Sequence, residues 1–258
     1  MDEATSGPRP AGEMTLFEHL RELRSRLGRA VIALAIGTVV GYIVFPYVID
    51  VMISPYCDFL ATRRPGADCT LIALRPLEPF SVRIKTALMI GLFVGGPVIF
   101  YQLWRFITPA LTVKERRYAL PFVVMSQVMF TIGILAAWFV IPQALRVLLV
   151  LGGPSIQDML VATEYMSFFL AMCLAFGLVF ELPLVLIYLS LLGMVRAATL
   201  RRIRPYAVVI MVIAAAIITP TTDAVTLLLI AGPMLLFYEL SIVAAYVIER
   251  SRRRAAKT

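Results

Sequence analysis

Apolar residues in this chain fall in long unbroken blocks divided by charged stretches, unlike the short alternating runs that line a soluble core. Six blocks stand out, at approximately 29–46, 82–104, 118–141, 165–190, 206–219 and 223–248. A helix rising 1.5 Å per residue needs about 20 apolar residues to cross about 30 Å of hydrocarbon, so each block is read as a spanning helix. The fifth is short: its roughly 14 residues reach only about 21 Å, so it must meet a thinned bilayer or be shielded by neighbours. Pro220 interrupts it, and Thr221, Thr222 and Asp223 supply turn and N-cap residues, which predicts a hairpin of short fifth and sixth helices. No ten-residue alternation recurs, which excludes a β-barrel. The expected fold is an all-α integral membrane protein with six transmembrane helices over residues 15–248. A disordered segment, 1–14, is expected before it and a basic tail, 249–258, after it.

Composition agrees, with 60% hydrophobic residues, and charge adds orientation. Of 24 Lys and Arg, 18 lie in the first segment, the second-to-third and fourth-to-fifth connections, and the tail. The positive-inside rule then puts both termini in the cytoplasm. The net charge of +8 is thus a topology signal, not a nucleic-acid footprint. A charged lead separates the start from the first apolar block, so no cleavable signal peptide is visible. Cys57 and Cys69 share the first external loop and are compatible with either a disulfide or two free thiols; Cys173 falls inside the fourth block.

Reaction chemistry is poorly represented. No GxxxxGK[ST] loop is present to hold nucleotide phosphates, the single histidine is His19, and no Ser or Thr is paired with a His or Lys base for nucleophilic catalysis. An enzyme is disfavoured, and no cofactor or metal is expected. Two GxxxG patterns, Gly37 to Gly41 and Gly91 to Gly95, allow close helix approach, read chiefly as packing within the chain.

Polar residues inside the apolar blocks point to function more sharply. Glu181, in "LAFGLVFELPLVLIYL", lies nine residues, about 13 Å, from the inner end of the fourth block, where a charged carboxylate costs roughly 2.5–3.5 kcal/mol. Pro183 beside it cannot donate to the Val179 carbonyl, which frees a second polar group at that depth. Together they suggest a recess reached by water or a partner. The structural alternative is an acid satisfied by a neighbouring helix, with Gln127 of the third block as the candidate.

Further acids sit at the inner surface. Leu16, Leu20, Leu23 and Leu27 form an apolar stripe, so the lead segment reads as an amphipathic helix on the membrane surface. Thr15 with Glu18, and Thr112 with Glu115, fit capping boxes. Glu22 has no such role, although Arg26 one turn on offers an ordinary ion pair. Two carboxylates, Glu22 and Glu115, on otherwise basic surfaces would suit a dicationic ligand, arginine best because its planar fork binds a carboxylate twice.

At these residues a resemblance enters. "HLRELRSRL", "YQLWRFITPALTVKERR", "FELPL" and "RPYAVV...ITP" are similar to the corresponding strings of the TatC family, the multispanning subunits of the twin-arginine protein translocase. The resemblance implies a receptor for folded cargo proteins with twin-arginine signal peptides, in the bacterial plasma (inner) membrane. It also implies assembly with TatA and TatB type single-helix subunits, self-association, and export driven by the proton-motive force. By position it assigns Glu22, Arg24, Glu115 and the aromatic Phe106 to signal binding. Pro55, Phe80 and Asp223 match functional positions of the external face, and Glu181 one on a concave face open to partners. Where some relatives carry a polar partner-contact residue in the sixth helix, this chain has Leu227 beside Thr226. The competing reading, an ion-coupled transporter of a small solute, also uses an intramembrane acid but calls for inverted repeats, which are not seen.

Overall fold

The structure is a computed structural model that describes residues 16–63, 69–107, 119–151, 160–218 and 224–255. These form six helices: α1 (Leu16–Arg63), α2 (Glu78–Ile107), α3 (Ala119–Leu151), α4 (Ala162–Leu191), α5 (Ala197–Ile218) and α6 (Ala224–Ala255). Five of them, all but α5, are long and apolar enough to cross a membrane. Large apolar side chains such as Val39, Ile43, Phe139 and Ile217 are exposed, as a lipid-facing surface requires.

Helix ends depart from the block ends in three places. The expected surface helix is not separate: α1 runs unbroken for 48 residues from the lead segment through the first block and past Pro46 and Pro55. Gly28 at the junction costs a helix only about 1 kcal/mol relative to Ala, too little to end it. A proline removes one backbone hydrogen bond, a loss that apolar surroundings with packed neighbours tolerate. Second, α5 starts at Ala197 and has 22 residues, because Arg201, Arg202 and Arg204 occupy its first turns ahead of the apolar run. Third, α6 is not short: at 32 residues it matches α3 and extends to Ala255, so residues 249–255 of the basic tail are helical. The 1–14 segment and the turn after Ile218 lie outside the described residues.

The two glycine motifs pack against each other. A Cβ on Gly37 would stand 2.5 Å from the Gly91 carbonyl oxygen, one on Gly41 2.5 Å from the Ala87 oxygen, and one on Gly95 3.0 Å from the Ala33 oxygen. This pairing makes α1 and α2 an antiparallel couple with backbones in contact. Gly133 and Gly177 play the same part between α3 and α4, where a Cβ on Gly133 would come within 2.6 Å of the Phe176 oxygen.

Beyond Pro46, α1 is drawn into the main apolar core, where Met52, Tyr56, Phe59 and Leu60 are buried with Tyr165, Met166 and Phe169. Tyr165 donates its hydroxyl to the Met52 carbonyl at 2.7 Å. A short parallel bridge, Ile72 with Val161, ties the segment before α2 to the start of α4. Cys57 and Cys69 are joined in a disulfide, with Cα atoms 5.4 Å apart. At the opposite, arginine-rich end, α6 fastens the α4–α5 connection: Glu249 Oε1 accepts the Ala197 N–H at 2.7 Å and Arg252 donates to the Leu191 carbonyl. Tyr238 donates to the Leu200 carbonyl at 2.8 Å, and Arg204 pairs with Glu239 at 2.7 Å.

Candidate functional site

Two polar sites stand out. At the arginine-rich end, Arg21, Glu22, Ser25, Arg26 and Arg29 recur at helical spacing and so share one face of α1. The antiparallel α2 brings Arg105, in its last turn, to the same face, and together they line an open pocket of about 360 Å³. Within it, Glu22 Oε1 accepts from Arg26 Nε at 3.0 Å and also from Arg26 Nη2. The one-turn ion pair that the sequence offered is therefore formed, with the Arg26 side chain 12% exposed and that of Glu22 26%. Arg26 Nη1 is enclosed and has no hydrogen-bond partner among the described residues. Arg24 is exposed and does not line the pocket, being two residues and about 200° around the helix from Glu22. Phe106 is half-buried next to Arg105, which stacks near Tyr101 and donates to its hydroxyl at 3.2 Å. Glu115 lies outside the described residues.

The second site is inside the bundle. Glu181 is buried in α4, and the polar side chain that acts on its carboxyl is Ser126 of α3. Ser126 accepts the Trp104 indole N–H at 2.7 Å, which leaves its own proton for the carboxyl. Glu181 Oε1 has no partner among the described residues. The candidate neighbour Gln127 is not the partner. One residue further along α3, it is rotated by about 100° toward α2, where its Nε2 donates to the Phe93 carbonyl at 3.3 Å and its Oε1 abuts Gly96.

Pro183 does not end α4. It lines an apolar groove of about 380 Å³ with Leu184 and Ile187 of α4 and Phe122, Met125 and Met129 of α3. Tyr188 packs edge to face with both Trp104 and Phe122 at ring-centre distances of 4.6 Å, and those two rings lie tilted 5.2 Å apart. Sequence reasoning missed Ser126 and Trp104; a serine inside an apolar block was the available signal.

At the disulfide end, Pro55 is buried, whereas Phe80, in the first turn of α2, is 60% exposed. Asp223 lies outside the described residues, and the side chain of Thr226 is likewise not described; Leu227 is half-buried against the core.

Long apolar helices, glycine-mediated antiparallel pairs, a buried acid and a charged pocket at one end define a multispanning helical membrane protein built around polar recesses. The family model described as "Sec-independent protein translocase protein (TatC)" matches residues 18–233. Proteins named Sec-independent protein translocase protein TatC are 39% identical in Frankia casuarinae, over 95% of this chain and 69% of that protein, and 38% identical in Aquifex aeolicus, over 95% and 100%. A crystal structure of the twin arginine translocase receptor TatC aligns with a TM-score of 0.78 at 39% identity, covering 90% of this chain and all of that one. The chain belongs to the TatC family and is a membrane-embedded component of a Sec-independent protein translocase.

Proposed function

We propose that this chain is the signal receptor and core scaffold of a twin-arginine translocase in the bacterial inner membrane, with both termini cytoplasmic. The observation that carries the reading is Glu22, whose carboxylate already holds a guanidinium inside a pocket built from the start of α1 and the end of α2. A signal arginine takes the place of Arg26 on that carboxylate. Charge-assisted bonds of this kind are worth about 1.5–3 kcal/mol. Exchanging one guanidinium for another is nearly neutral, however, so net affinity must come from a second carboxylate, the role of Glu115. The surrounding arginines repel generic basic peptides and sharpen the choice. Arg24 and Phe106 flank the bound signal.

The same reading gives the buried Glu181 and Ser126 pair, with the groove at Pro183, to the apolar part of the signal or to single-helix TatA and TatB type subunits. Pro55, Phe80 and Asp223 act on the external face. Transport is driven by the proton-motive force, and the passage for folded cargo forms by assembly with those subunits.

The test is binding of a peptide with two adjacent arginines to the purified full-length chain, followed by site-specific crosslinking. Lysine replacement in the peptide should abolish binding, and Glu22→Gln or Glu115→Gln should weaken it more than Glu18→Gln. Equal binding by all three variants would overturn the assignment.

A further inference from the structure

We infer that the pocket between α1 and α2 at the arginine-rich end also binds a phosphate group, through Arg21, Arg26, Arg29 and Arg105. Four guanidinium groups and one carboxylate line a space of about 360 Å³, and that carboxylate is already engaged by Arg26.

Hydrogen bonding at Arg26 adds to the net charge. Both Arg26 donors that reach Glu22 converge on the same oxygen, Oε1, and Nη1 is left enclosed with no hydrogen-bond partner among the described residues. A guanidinium N–H without an acceptor is costly, so Glu22 alone does not satisfy the Arg26 fork, and an anion beside that fork offers the acceptor it lacks. The side chains are all arginine, whose planar forks match phosphate oxygens in pairs as lysine does not.

Depth narrows the source. Arg29 opens the first apolar block and Arg105 closes the second, so the pocket sits where hydrocarbon gives way to the polar interface. Basic pockets between transmembrane helices at that level take lipid head groups. An anionic phospholipid and dissolved phosphate both present the required group. Elsewhere the basic residues are not gathered round one space: Arg201 lies over the Tyr246 ring of α6, Arg202 is exposed, and Arg204 is paired with Glu239. The inference does not depend on how the signal is recognised.

The test uses the full-length chain, delipidated in a neutral detergent and titrated with short-chain phosphatidylglycerol, with phosphatidylcholine of equal chain length, and with inorganic phosphate. Bound ligand is counted by native mass spectrometry and followed through the thermal unfolding midpoint. Phosphatidylglycerol should bind saturably and about tenfold more tightly than phosphatidylcholine. Competition by inorganic phosphate would support a soluble source, and its failure to compete would support the lipid. Arg29→Gln with Arg105→Gln should lower the affinity about tenfold, whereas Arg201→Gln with Arg202→Gln should leave it unchanged. Arg29→Lys with Arg105→Lys, which keeps the charge should the neutral variant fail to fold, should still lose several-fold because the forks are gone. Equal binding of the two lipids, or equal losses in the pocket and α5 variants, would overturn the inference.

Discussion

Gly37 of α1 and Gly91 of α2 meet backbone to backbone: a Cβ on Gly37 would lie 2.5 Å from the Gly91 carbonyl oxygen, and one on Gly91 2.5 Å from Thr38 Oγ1. The atoms in the way of Gly37 are main chain and cannot swing aside. Gly37→Val should therefore cost at the upper end of the roughly 1–3 kcal/mol typical of overpacking. Gly28, with nothing within 4 Å of its added Cβ, is the control: Gly28→Ala should leave stability unchanged or raise it by up to about 1 kcal/mol. Thermal unfolding in detergent separates the two.

Ser126 is completely buried between Trp104 and Glu181. Ser126→Ala strands the indole N–H and should destabilise by about 1–3 kcal/mol. If the loss is the stranded donor, adding Trp104→Phe should cost less than the sum of the two single changes, as a double-mutant cycle would read.

Arg26 competes with any incoming guanidinium for Glu22 Oε1. Pairs one turn apart on a helix are worth about 0.3–0.5 kcal/mol, so Arg26→Gln should tighten binding of a twin-arginine peptide by about twofold. Fluorescence anisotropy with labelled peptide measures this, and weaker binding would mean that Arg26 is itself a contact for the signal.

The Cys57 to Cys69 bridge closes a loop with a sequence separation of 12. In the chain-entropy picture such a crosslink contributes about 3 kcal/mol. Cys57→Ser and Cys69→Ser should lower the unfolding midpoint equally, and reductant should lower the native chain's midpoint to match. Alkylation of unreduced, denatured protein should modify Cys173 alone.

Glu249 receives the Ala197 N–H at the start of α5. Glu249→Ala should cost about 0.5–2 kcal/mol, in the range of a lost helix cap. Removing residues 249–258 should cost more, because Arg252 and its bond to the Leu191 carbonyl go too. A tail acting only as a topology signal would leave thermal unfolding unmoved.

How legible these features were follows from what hydrophobicity encodes. Block length marks where a segment crosses hydrocarbon, so the number of helices and the shortness of the fifth apolar run could be read directly. It does not mark where a helix ends. Arg21 to Arg29 and Glu249 to Arg254 signal exit from the apolar layer, yet the backbone continues helically through both. The glycine motifs and the Glu22 with Arg26 pair were legible because they depend on spacing along one helix. The partner of Glu181 was not: whether Ser126 or Gln127 faces it depends on the rotation of α3, which long-range packing sets. Glu115 and Asp223, read as functional by resemblance, lie outside the described residues.

The uninterrupted α1 has a mechanical consequence. At about 1.5 Å per residue its 48 residues make a rod about 72 Å long, more than twice the thickness of the hydrocarbon layer. Its glycine contact with α2 lies near mid-length, with the Glu22 pocket toward one end and the disulfide toward the other. One continuous element therefore joins the arginine-rich pocket at Glu22 to the disulfide at Cys57, so the two ends of the bundle share a single backbone.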